Sequence, residues 1–242
     1  MKCLAGLQNY RKIKMDLTIL IPAYKEAENL EIVIPKLKKS LEILDIQHQI
    51  LVVDSAVSFD DTLDVCNRYK VDHIVREPGN SYGDAIRSGI ANASGEYLVI
   101  MDADGSHEPD FIRVLWKYRI KNDVVIASRY IKGGSTENSN ILNFMSRMLN
   151  ISYRIILQLD CKDVSNSFKL YKLQDLKSLS LICNEFDMVE EILFKLKKLN
   201  NQIKIKEVPY TFKRRITGES KRNLVLFIFK YAFTLVRLRL MK

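Results

Sequence analysis

Five apolar runs of strand length alternate with segments of helical periodicity between residues 17 and 129. The runs are LTILIP (17–22), QILVVD (49–54), DHIVRE (72–77), EYLVIMD (96–102) and DVVIASR (123–129). After the first run, apolar side chains recur at the spacing of an amphipathic helix, at Leu30, Val33, Ile34, Leu37, Leu41 and Leu44. This alternation predicts an α/β fold in which right-handed crossovers build a mostly parallel central sheet flanked by helices.

The length and composition fit one domain of this kind. A chain of 242 residues, 47% of them hydrophobic, can bury the core of a single large α/β domain. The four cysteines are scattered and form no CxxC pair, which is typical of a reducing, cytoplasmic compartment rather than of a disulfide framework or a zinc site. The apolar stretch near the N-terminus is too short for a signal peptide, so residues 1–16 are predicted to form a tail.

Each of the five predicted strands ends in a residue of the kind found at turns or at ligand sites. These residues are Pro22, Asp54, Arg76, Asp102 and Arg129. In open parallel sheets the carboxyl ends of the strands meet at one edge, and ligands bind there. A single aspartate at such a position more often caps a turn. The repetition on five strands therefore favours a ligand site.

Two aspartates, Asp102 and Asp104, lie one residue apart where the fourth predicted strand ends. Carboxylates at this spacing offer hard oxygen ligands on one side of an extended segment, and such ligands suit Mg²⁺ or Mn²⁺ carrying a diphosphate. No GxGxxG follows the first strand, and the chain contains neither GxxxxGK[ST] nor GxSxG. Dinucleotide-binding, P-loop and serine-hydrolase classes are therefore disfavoured.

Six segments follow one another in an order that is typical of a known family. They are IPAYKEAENL (21–30), VVDSAVSFDDT (52–62), GNSYGDAIRSGIANASGEYLVIMDADGSHEPDFI (79–112), ASRYIKGG (127–134), SNSFKLY (165–171) and EVPYTFKRRITGESK (207–221). This order resembles the inverting, nucleotide-sugar-dependent enzymes of glycosyltransferase family 2, which have the GT-A fold. It is most similar to their dolichyl- and polyprenyl-phosphate mannosyl- and glucosyltransferases. The resemblance implies a GT-A glycosyltransferase domain over residues 17–221.

The resemblance assigns donor-binding residues by position. Nucleotide-sugar binding is implied for Pro22, Tyr24, Glu26, Asp54, Gly79, Gly83, Asp102, Ala103 and Asp104. Asp102 and Asp104 match the family's metal ligands, so the implied cofactor is Mg²⁺ or Mn²⁺. The glycines match positions where a side chain would obstruct the nucleotide or the packing of a helix. The implied donor is GDP-mannose or a UDP-sugar.

A second group of residues matches the family's phosphate-binding positions. Asp104, Arg129 and Arg215 are implied to be catalytic, and Arg129, Arg215, Ser220 and Lys221 are implied to bind the diphosphate or the acceptor phosphate. Guanidinium and ammonium groups there would offset the charge that develops on the phosphates. The alternative for Arg214, Arg215 and Lys221 is a solvated basic loop.

Seven residues depart from the family pattern. Three of them are Lys25 for Asn, Ser55 for Asp, and Ser106 for a Gln that can join the metal shell. The others are Leu142 for an acceptor-phosphate Arg, and Asn166, Ser167 and Lys169 for Ser, Gly and Arg. The changes at Ser106, Leu142, Asn166, Ser167 and Lys169 weaken the assignment of the acceptor more than the assignment to the family.

The implied reaction is a single displacement with inversion at the anomeric carbon of the sugar. A hydroxyl acceptor would require a carboxylate as general base, because an alcohol is a weak nucleophile at neutral pH. A polyprenyl phosphate needs none, because a phosphomonoester is already anionic. Glu190 and Glu191 are candidates for the base by position alone. A polyprenyl phosphate is therefore the favoured acceptor, and a hydroxyl in surface-polysaccharide or glycan synthesis is the alternative.

The net charge of +9 is concentrated in residues 201–242, which hold eleven Lys or Arg against two Glu. On a helical wheel, residues 222–242 combine a broad apolar face with a polar stripe of Asn223, Lys230, Thr234 and Arg237. The segment is predicted to be an amphipathic helix lying on the anionic cytoplasmic face of a membrane. The alternative is packing against the same domain or against a second copy in a homo-oligomer. Nucleic acid is a disfavoured partner, because it leaves the strand-end aspartates unexplained.

Overall fold

The computed structural model of the chain describes residues 15–216 and 233–240. The strands are β1 (Met15–Pro22), β2 (His48–Asp54), β3 (Asp72–Val75), β4 (Gly95–Ile100), β5 (Val124–Ser128), β6 (Ser135–Thr136), β7 (Lys169–Lys172), β8 (Ile205–Pro209) and β9 (Thr211–Phe212). The helices are α1 (Ala27–Leu44), α2 (Thr62–Tyr69), α3 (Tyr82–Asn92), α4 (Ile112–Tyr118), α5 (Asn140–Ile156), α6 (Leu173–Lys177), α7 (Met188–Leu199) and α8 (233–240). Most of the predicted tail, Ser220, Lys221 and the first part of the predicted C-terminal helix lie outside the described residues.

The central sheet has its strands in the order β3-β2-β1-β4-β7-β5-β8. Parallel pairs join β1 to β2 and β4, β2 to β3, and β5 to β8, so the predicted mostly parallel sheet is confirmed. β7 is antiparallel to both β4 and β5. It therefore begins at the edge where β4 and β5 end, and it brings the preceding segment to the same edge as the strand-end aspartates.

Helices cover both faces of the sheet, as predicted. Leu17, Ile19 and Ile21 of β1 pack with residues of α1, α2 and α4, whereas Leu20 packs on the opposite face with residues of α3, α6 and α7. Because side chains alternate along a strand, an apolar run without interruption supplies both faces. The sheet is thus buried on both sides and holds its carboxyl edge rigid.

α3 approaches the sheet and a neighbouring loop closely at two glycines. A Cβ on Gly89 would lie 2.1 Å from Leu20 Cδ1, and one on Gly83 would lie 2.2 Å from the carbonyl oxygen of Cys183. The helix begins with a capping box, in which the Ser81 hydroxyl accepts the Asp84 N–H at 3.1 Å and the Asp84 carboxylate accepts the Ser81 N–H at 3.0 Å. These contacts fix the start of α3 beside the carboxyl edge of the sheet.

α8 packs against its own domain by one face. Leu235 and Leu238 are buried in the same core cluster as α3 and α7, and the buried Thr234 hydroxyl donates to the Asp187 carboxylate. This is the packing that the sequence left as an alternative to membrane contact. The opposite face of α8 exposes Phe233, Val236 and Leu240. Across residues 15–216 and 233–240, no helix combines the length and the apolar character needed to cross a membrane.

Candidate active site

A cleft of about 1460 Å³ opens at the carboxyl ends of the parallel strands. Four of the five predicted strand-end residues line it, namely Pro22, Arg76, Asp102 and Arg129. The fifth, Asp54, lies behind the wall of the cleft with 4% of its surface exposed. Its carboxylate accepts the Ser55 N–H at 2.6 Å and lies 3.4 Å from His73 Nε2. A contact of Asp54 with a nucleotide base stays a prediction.

Asp102 is held in place by two residues from different parts of the chain. Its backbone N–H donates to His107 Nδ1 at 2.9 Å, so the imidazole carries its proton on Nε2, which lies 3.8 Å from the Asp102 carboxylate. Burial lowers the pKa of His107 and thereby favours the neutral ring. The Ser167 hydroxyl, from the loop before β7, donates to the other Asp102 carboxylate oxygen at 3.1 Å.

Asp104 lies in a tight turn that the C-terminal part of the domain closes. Its carboxylate accepts the Ser106 N–H at 3.0 Å, and its carbonyl oxygen accepts the Ile216 N–H at 2.9 Å. Between them Gly105 has φ +77°, a left-handed conformation that favours glycine. The turn directs both aspartate side chains into the cleft, which Ala103 also lines.

The residues around this turn fit a hard divalent cation. Ser106 Oγ is buried beside the two carboxylates and has no hydrogen-bond partner among the described residues. The set of Asp102, Asp104 and Ser106 offers oxygen only, which Mg²⁺ and Mn²⁺ prefer. Residues 15–216 and 233–240 contain no group of three or more His, Cys, Asp or Glu that could hold a metal by itself. A cation here therefore needs further oxygen ligands, as from a bound diphosphate.

One end of the cleft presents an aromatic surface. Tyr24 and Phe59 are 40% and 45% exposed, and their ring centroids lie 5.3 Å apart. Lys25 Nζ lies 4.9 Å from the Phe59 ring centroid. Half-exposed rings beside a cation form a surface on which a nucleobase can stack. Lys25, which departs from the family pattern, thus lies at the end of the cleft suited to the base.

Arg76 stiffens the same end of the cleft. Its guanidinium is almost fully buried and donates to the backbone carbonyls of Asp54 at 2.9 Å and Val53 at 3.2 Å, and also to that of Ala23. One side chain thereby ties together the ends of β1, β2 and β3. The sequence predicts Arg76 only as a strand-end residue. Its hydrogen bonds to backbone carbonyls of neighbouring strands leave no recognisable pattern in the local sequence.

Glu26 and Arg215 meet across the cleft although 189 residues separate them. The Arg215 guanidinium lies 3.1 Å from the Glu26 carboxylate, which also accepts a hydrogen bond from Asn29 at 2.5 Å. Burial raises the pKa of Glu26, and the nearby Asp104 acts in the same direction, whereas Arg215 and Asn29 lower it. The pair closes the segment around residue 215 over the aspartate turn.

The two predicted glycines pack against protein. Gly83 faces the backbone at Cys183, as described above, and a Cβ on Gly79 would lie 2.8 Å from the Asp84 carboxylate. The wall of the cleft beside them is formed by Asn80, Ser81 and Tyr82. The geometry accounts for both glycines by helix packing, and a contact with the nucleotide stays a prediction.

Arg129 forms a buried ion pair with Asp163. Its Nε and one terminal nitrogen donate to the two carboxylate oxygens at 2.8 and 2.7 Å, and its backbone N–H donates at 2.7 Å. Burial alone would lower the pKa of Arg129, but the charge of Asp163 and the hydrogen bonds to it raise the pKa above its ordinary value. The guanidinium also contacts the faces of Tyr130 and Phe212. Arg129 thus faces the cleft as a fixed, fully charged cation.

The other end of the cleft is bounded by α5. Leu142, Met145 and Leu149 recur at helical spacing along its inner side, and Phe186 and Val189 lie among the residues that line the same cleft. Leu142 is the residue that replaces an acceptor-phosphate arginine of the family. This end therefore offers an apolar wall beside the charged Arg129.

Neither glutamate considered as a general base lines the cleft. Both carboxylate oxygens of Glu191 accept the Ile182 N–H at 3.0 Å, and the group pairs with Lys195 at 2.6 Å. Glu190 is fully buried, and burial raises its pKa to about 8. Both side chains are therefore placed for roles inside the fold.

Two positioning residues, His107 and Asp163, are absent from the predicted site residues. His107 has a signal in the sequence, because it is a lone histidine three residues after Asp104. Asp163 has none, because it lies 34 residues beyond its partner Arg129. Ser167, which contacts Asp102, is noted in the sequence only as a departure from the family.

The fold defines a GT-A type domain with a cleft at the carboxyl ends of its parallel strands. The family model described as glycosyl transferase family 2 matches residues 18–180. A dolichol-phosphate mannosyltransferase of Pyrococcus furiosus is 34% identical over 215 residues, which cover 86% of this chain and 59% of that protein. An undecaprenyl-phosphate mannosyltransferase of Micrococcus luteus is 29% identical over 225 residues, covering 86% and 88%. The chain belongs to glycosyl transferase family 2.

Solved structures with this fold include a metal- and nucleotide-bound enzyme. Glucosyl-3-phosphoglycerate synthase of Mycobacterium tuberculosis, in complex with Mn²⁺, UDP and glucosyl-3-phosphoglycerate, superposes with a TM-score of 0.72 at 18% identity over 94% of this chain and 81% of that one. The same enzyme with Mg²⁺ and UDP gives a TM-score of 0.71 at 18% identity, covering 94% and 80%. These likenesses confirm the GT-A fold. The chain spans 59% of the length of the P. furiosus relative and 88% of that of M. luteus.

Proposed function

We propose that the chain transfers a sugar from a nucleotide sugar to a polyprenyl phosphate, with inversion, at the cytoplasmic face of a membrane. The observation that carries the proposal is one cleft that joins three features: the Asp102–Asp104 turn, an aromatic end suited to a base, and an apolar end beside a fixed arginine. The names of the two mannosyltransferase relatives support a polyprenyl-phosphate acceptor and a mannosyl donor. The solved structures that contain UDP support a UDP-sugar as the alternative donor.

The donor half of the site is assigned to the two aspartates and the aromatic end. Asp102 and Asp104, with Ser106 beside them, would hold Mg²⁺ or Mn²⁺. When bound, the cation neutralises the diphosphate and makes it a better leaving group. His107 holds the Asp102 backbone N–H and Ser167 holds its carboxylate, so Asp102 needs little reorganisation when the donor binds. Tyr24 and Phe59 stack against the base and thereby fix where the sugar of the donor lies in the cleft.

The acceptor half is assigned to Arg129 and the inner side of α5. Arg129 keeps its charge at all physiological pH values and can attract an anionic phosphate, while Asp163 prevents its side chain from swinging away. Leu142, Met145 and Leu149 give an apolar path for the first prenyl units. Glu190 and Glu191 do not line the cleft, so neither glutamate considered as a general base supports a hydroxyl acceptor there. Arg215, with the predicted Ser220 and Lys221, is assigned to the phosphates.

The experiment is a transfer assay with purified full-length protein and Mn²⁺ or Mg²⁺. Radiolabelled GDP-mannose, UDP-glucose and UDP-GlcNAc are each incubated with a polyprenyl phosphate, and the label in the lipid phase is measured. We expect one donor to give lipid-bound label and Asp104→Asn to lower the rate by about 100-fold or more, because the cation site loses a charged ligand. Asp160→Asn is the matched control, since Asp160 is 88% exposed and outside the cleft.

Label in the lipid phase from both wild type and Asp160→Asn, but not from Asp104→Asn, supports the proposal and identifies the donor. Metal-dependent hydrolysis of one donor without lipid product would move the acceptor to a hydroxyl compound. Turnover that is independent of Asp104 and of the cation would overturn the assigned donor site.

A further inference from the structure

α5 carries an exposed apolar stripe on the side that faces away from the cleft. The stripe consists of Ile141, Phe144, Met148, Ile151 and Ile155, which recur at alternating intervals of three and four residues. Each of these side chains is between 49% and 70% exposed. Single exposed apolar residues are ordinary, but a continuous row of large ones on one helix marks an interaction surface. We call this row the outer stripe.

α8 carries a second exposed apolar row of the same kind. Phe233, Val236 and Leu240 follow the same spacing and are 69%, 58% and 75% exposed. The buried sides of the two helices enter one core cluster, which contains Tyr153 of α5 and Leu238 of α8. Both helices therefore lie on the same side of the sheet, each with apolar residues turned outward.

The charged residues of α5 and of the described part of α8 are all positive. Arg147 and Arg154 lie seven residues apart on one flank of the stripe, and both are exposed. α5 contains no Asp or Glu from Asn140 to Ile156. The described part of α8 has Arg237 and Arg239 and no acidic residue. An apolar row edged by arginines is complementary to an anionic bilayer, in which the apolar side chains enter the acyl region and the guanidinium groups meet the headgroups.

A second copy of the chain fits this surface less well. In a two-fold contact through the outer stripe, the stripe of one copy meets the same stripe of the other. This would bring the arginines of both helices together with no acidic residue of α5 between them. Like charges at an interface oppose association, so the charge pattern favours lipid over self-association.

α5 also connects this surface to the cleft. Its inner residues Leu142, Met145 and Leu149 line the cleft, and the outer stripe lies on the other side of the same helix. A bilayer against the outer stripe would hold the apolar end of the cleft next to the membrane surface. In α8, the bond from Thr234 to Asp187 ties a second outward apolar face to a residue that lines the cleft.

We infer that α5 is the membrane-docking helix of the chain and that its outer stripe, together with the exposed face of α8, rests in an anionic bilayer. The prediction from sequence placed membrane contact only in residues 222–242. The inference deepens the proposed function, because it states how the cleft reaches a lipid-borne phosphate. Its test is independent of transfer, since docking is measured without donor or acceptor.

The test measures binding of the full-length protein to sedimentable vesicles of phosphatidylcholine with and without phosphatidylserine. The variant is Ile155→Glu, in which a side chain that is 68% exposed becomes charged within the outer stripe. The matched control is Ile120→Glu, because Ile120 is 74% exposed and lies just before β5, at the opposite edge of the sheet from the cleft. Phe144→Glu is a second stripe variant in case Ile155→Glu does not fold, as judged by its thermal unfolding.

We expect wild type and Ile120→Glu to bind the anionic vesicles alike, and both more tightly than neutral vesicles. The stripe variant should bind the anionic vesicles about tenfold more weakly, because one large apolar group no longer enters the bilayer. All variants should keep metal-dependent binding of the donor nucleotide. If wild type does not bind the donor nucleotide with a metal, the proposed function is contradicted but the docking result still stands.

Three results overturn the inference. Equal vesicle binding by wild type, Ile155→Glu and Phe144→Glu would place the membrane contact elsewhere. An absence of vesicle binding by wild type would mean that another partner or segment covers the stripe. A wild-type dimer in light scattering that Ile155→Glu dissociates, without any vesicle binding, would assign the stripe to a second copy of the chain.

Discussion

Replacing Glu190 by glutamine removes a buried carboxyl group while keeping the length and shape of the side chain. Glu190 lies on α7, is 0% exposed, and neither of its carboxyl oxygens has a hydrogen-bond partner among the described residues. Burial raises its pKa to about 8 from an ordinary value of 4.5, although Lys169 and Arg129 oppose the change. The folded protein thus retains a proton that the unfolded chain releases.

The sign and size of the effect follow from this difference. A raised pKa contributes stability that is fully present below about pH 4.5 and is lost as the pH rises through about 8. The complete loss is about 5 kcal/mol, because each tenfold change in proton affinity is worth about 1.4 kcal/mol. At pH 7 about 3 kcal/mol is already lost, by the same relation. Glutamine does not titrate, so Glu190→Gln should be more stable than wild type by about 3 kcal/mol at pH 7 and by about 1 kcal/mol at pH 5.

Urea unfolding of wild type and Glu190→Gln between pH 5 and 8 measures this difference. Glu191→Gln is the control on the neighbouring residue. Glu191 is also buried, but its carboxylate accepts the N–H groups of Ile182 and Cys183 and pairs with Lys195. Its replacement should therefore destabilise the protein, by about 3 kcal/mol, because the pairing and backbone contacts of a charged group are lost.

A Glu190→Gln variant that is less stable than wild type at every pH, with the same pH slope, would contradict a neutral Glu190. That result would mean that the carboxylate is ionised and paired with a buried cation such as Lys169, whose charge lowers its pKa. We also expect Glu190→Gln to keep its transfer activity, because the side chain does not line the cleft. A loss of about 100-fold in rate with unchanged stability would instead make Glu190 the general base and favour a hydroxyl acceptor.

Two further substitutions test the residues that hold the site. Arg129→Ala should lower the free energy of unfolding by about 3–5 kcal/mol in urea titrations, because Asp163 is left buried without its cation; a loss below about 1 kcal/mol would contradict a tight pair. His107→Phe keeps a ring beside Phe168 but removes the acceptor for the Asp102 N–H. Calorimetric titration of Mn²⁺ in the presence of UDP should show about tenfold weaker binding, and unchanged affinity would show that His107 does not orient Asp102.

The sequence predicts the regular part of the sheet because local signals are strong there. The apolar runs that overlap β1, β2, β4 and β5 end in proline or a charged residue, and the spacing from Leu30 to Leu41 identifies the buried face of α1. β7 is different, since SNSFKLY shows an extended segment but not its partners. Its antiparallel insertion between β4 and β5 is a long-range pairing that local periodicity does not encode.

The residues of the site likewise divide into those with a local sequence signal and those without one. The Asp102–Asp104 pair is readable because both ligands lie in one short segment. The partners that fix them are not, because Ser167 lies 65 residues from Asp102 and Asp163 lies 34 residues from Arg129. Asp54 matches the motif as a strand-end aspartate, and its carboxylate lies behind the wall of the cleft, so its contact with a base stays a prediction.

The strand order divides the cleft into two halves that can change independently. β1, β2 and β3 carry the aromatic end, whereas β4, β7 and β5 carry the aspartate turn, Arg129 and the connection to α5. Two departures from the family, Lys25 and Ser55, fall in the first half. Three others, Asn166, Ser167 and Lys169, cluster at the start of β7, and Leu142 lies on α5. Because β7 enters between the strands that carry Asp102 and Arg129, changes at its start act on the metal ligands and the acceptor cation together. Acceptor choice and cation affinity should therefore be coupled in this chain, while base selection at Tyr24 and Phe59 varies separately.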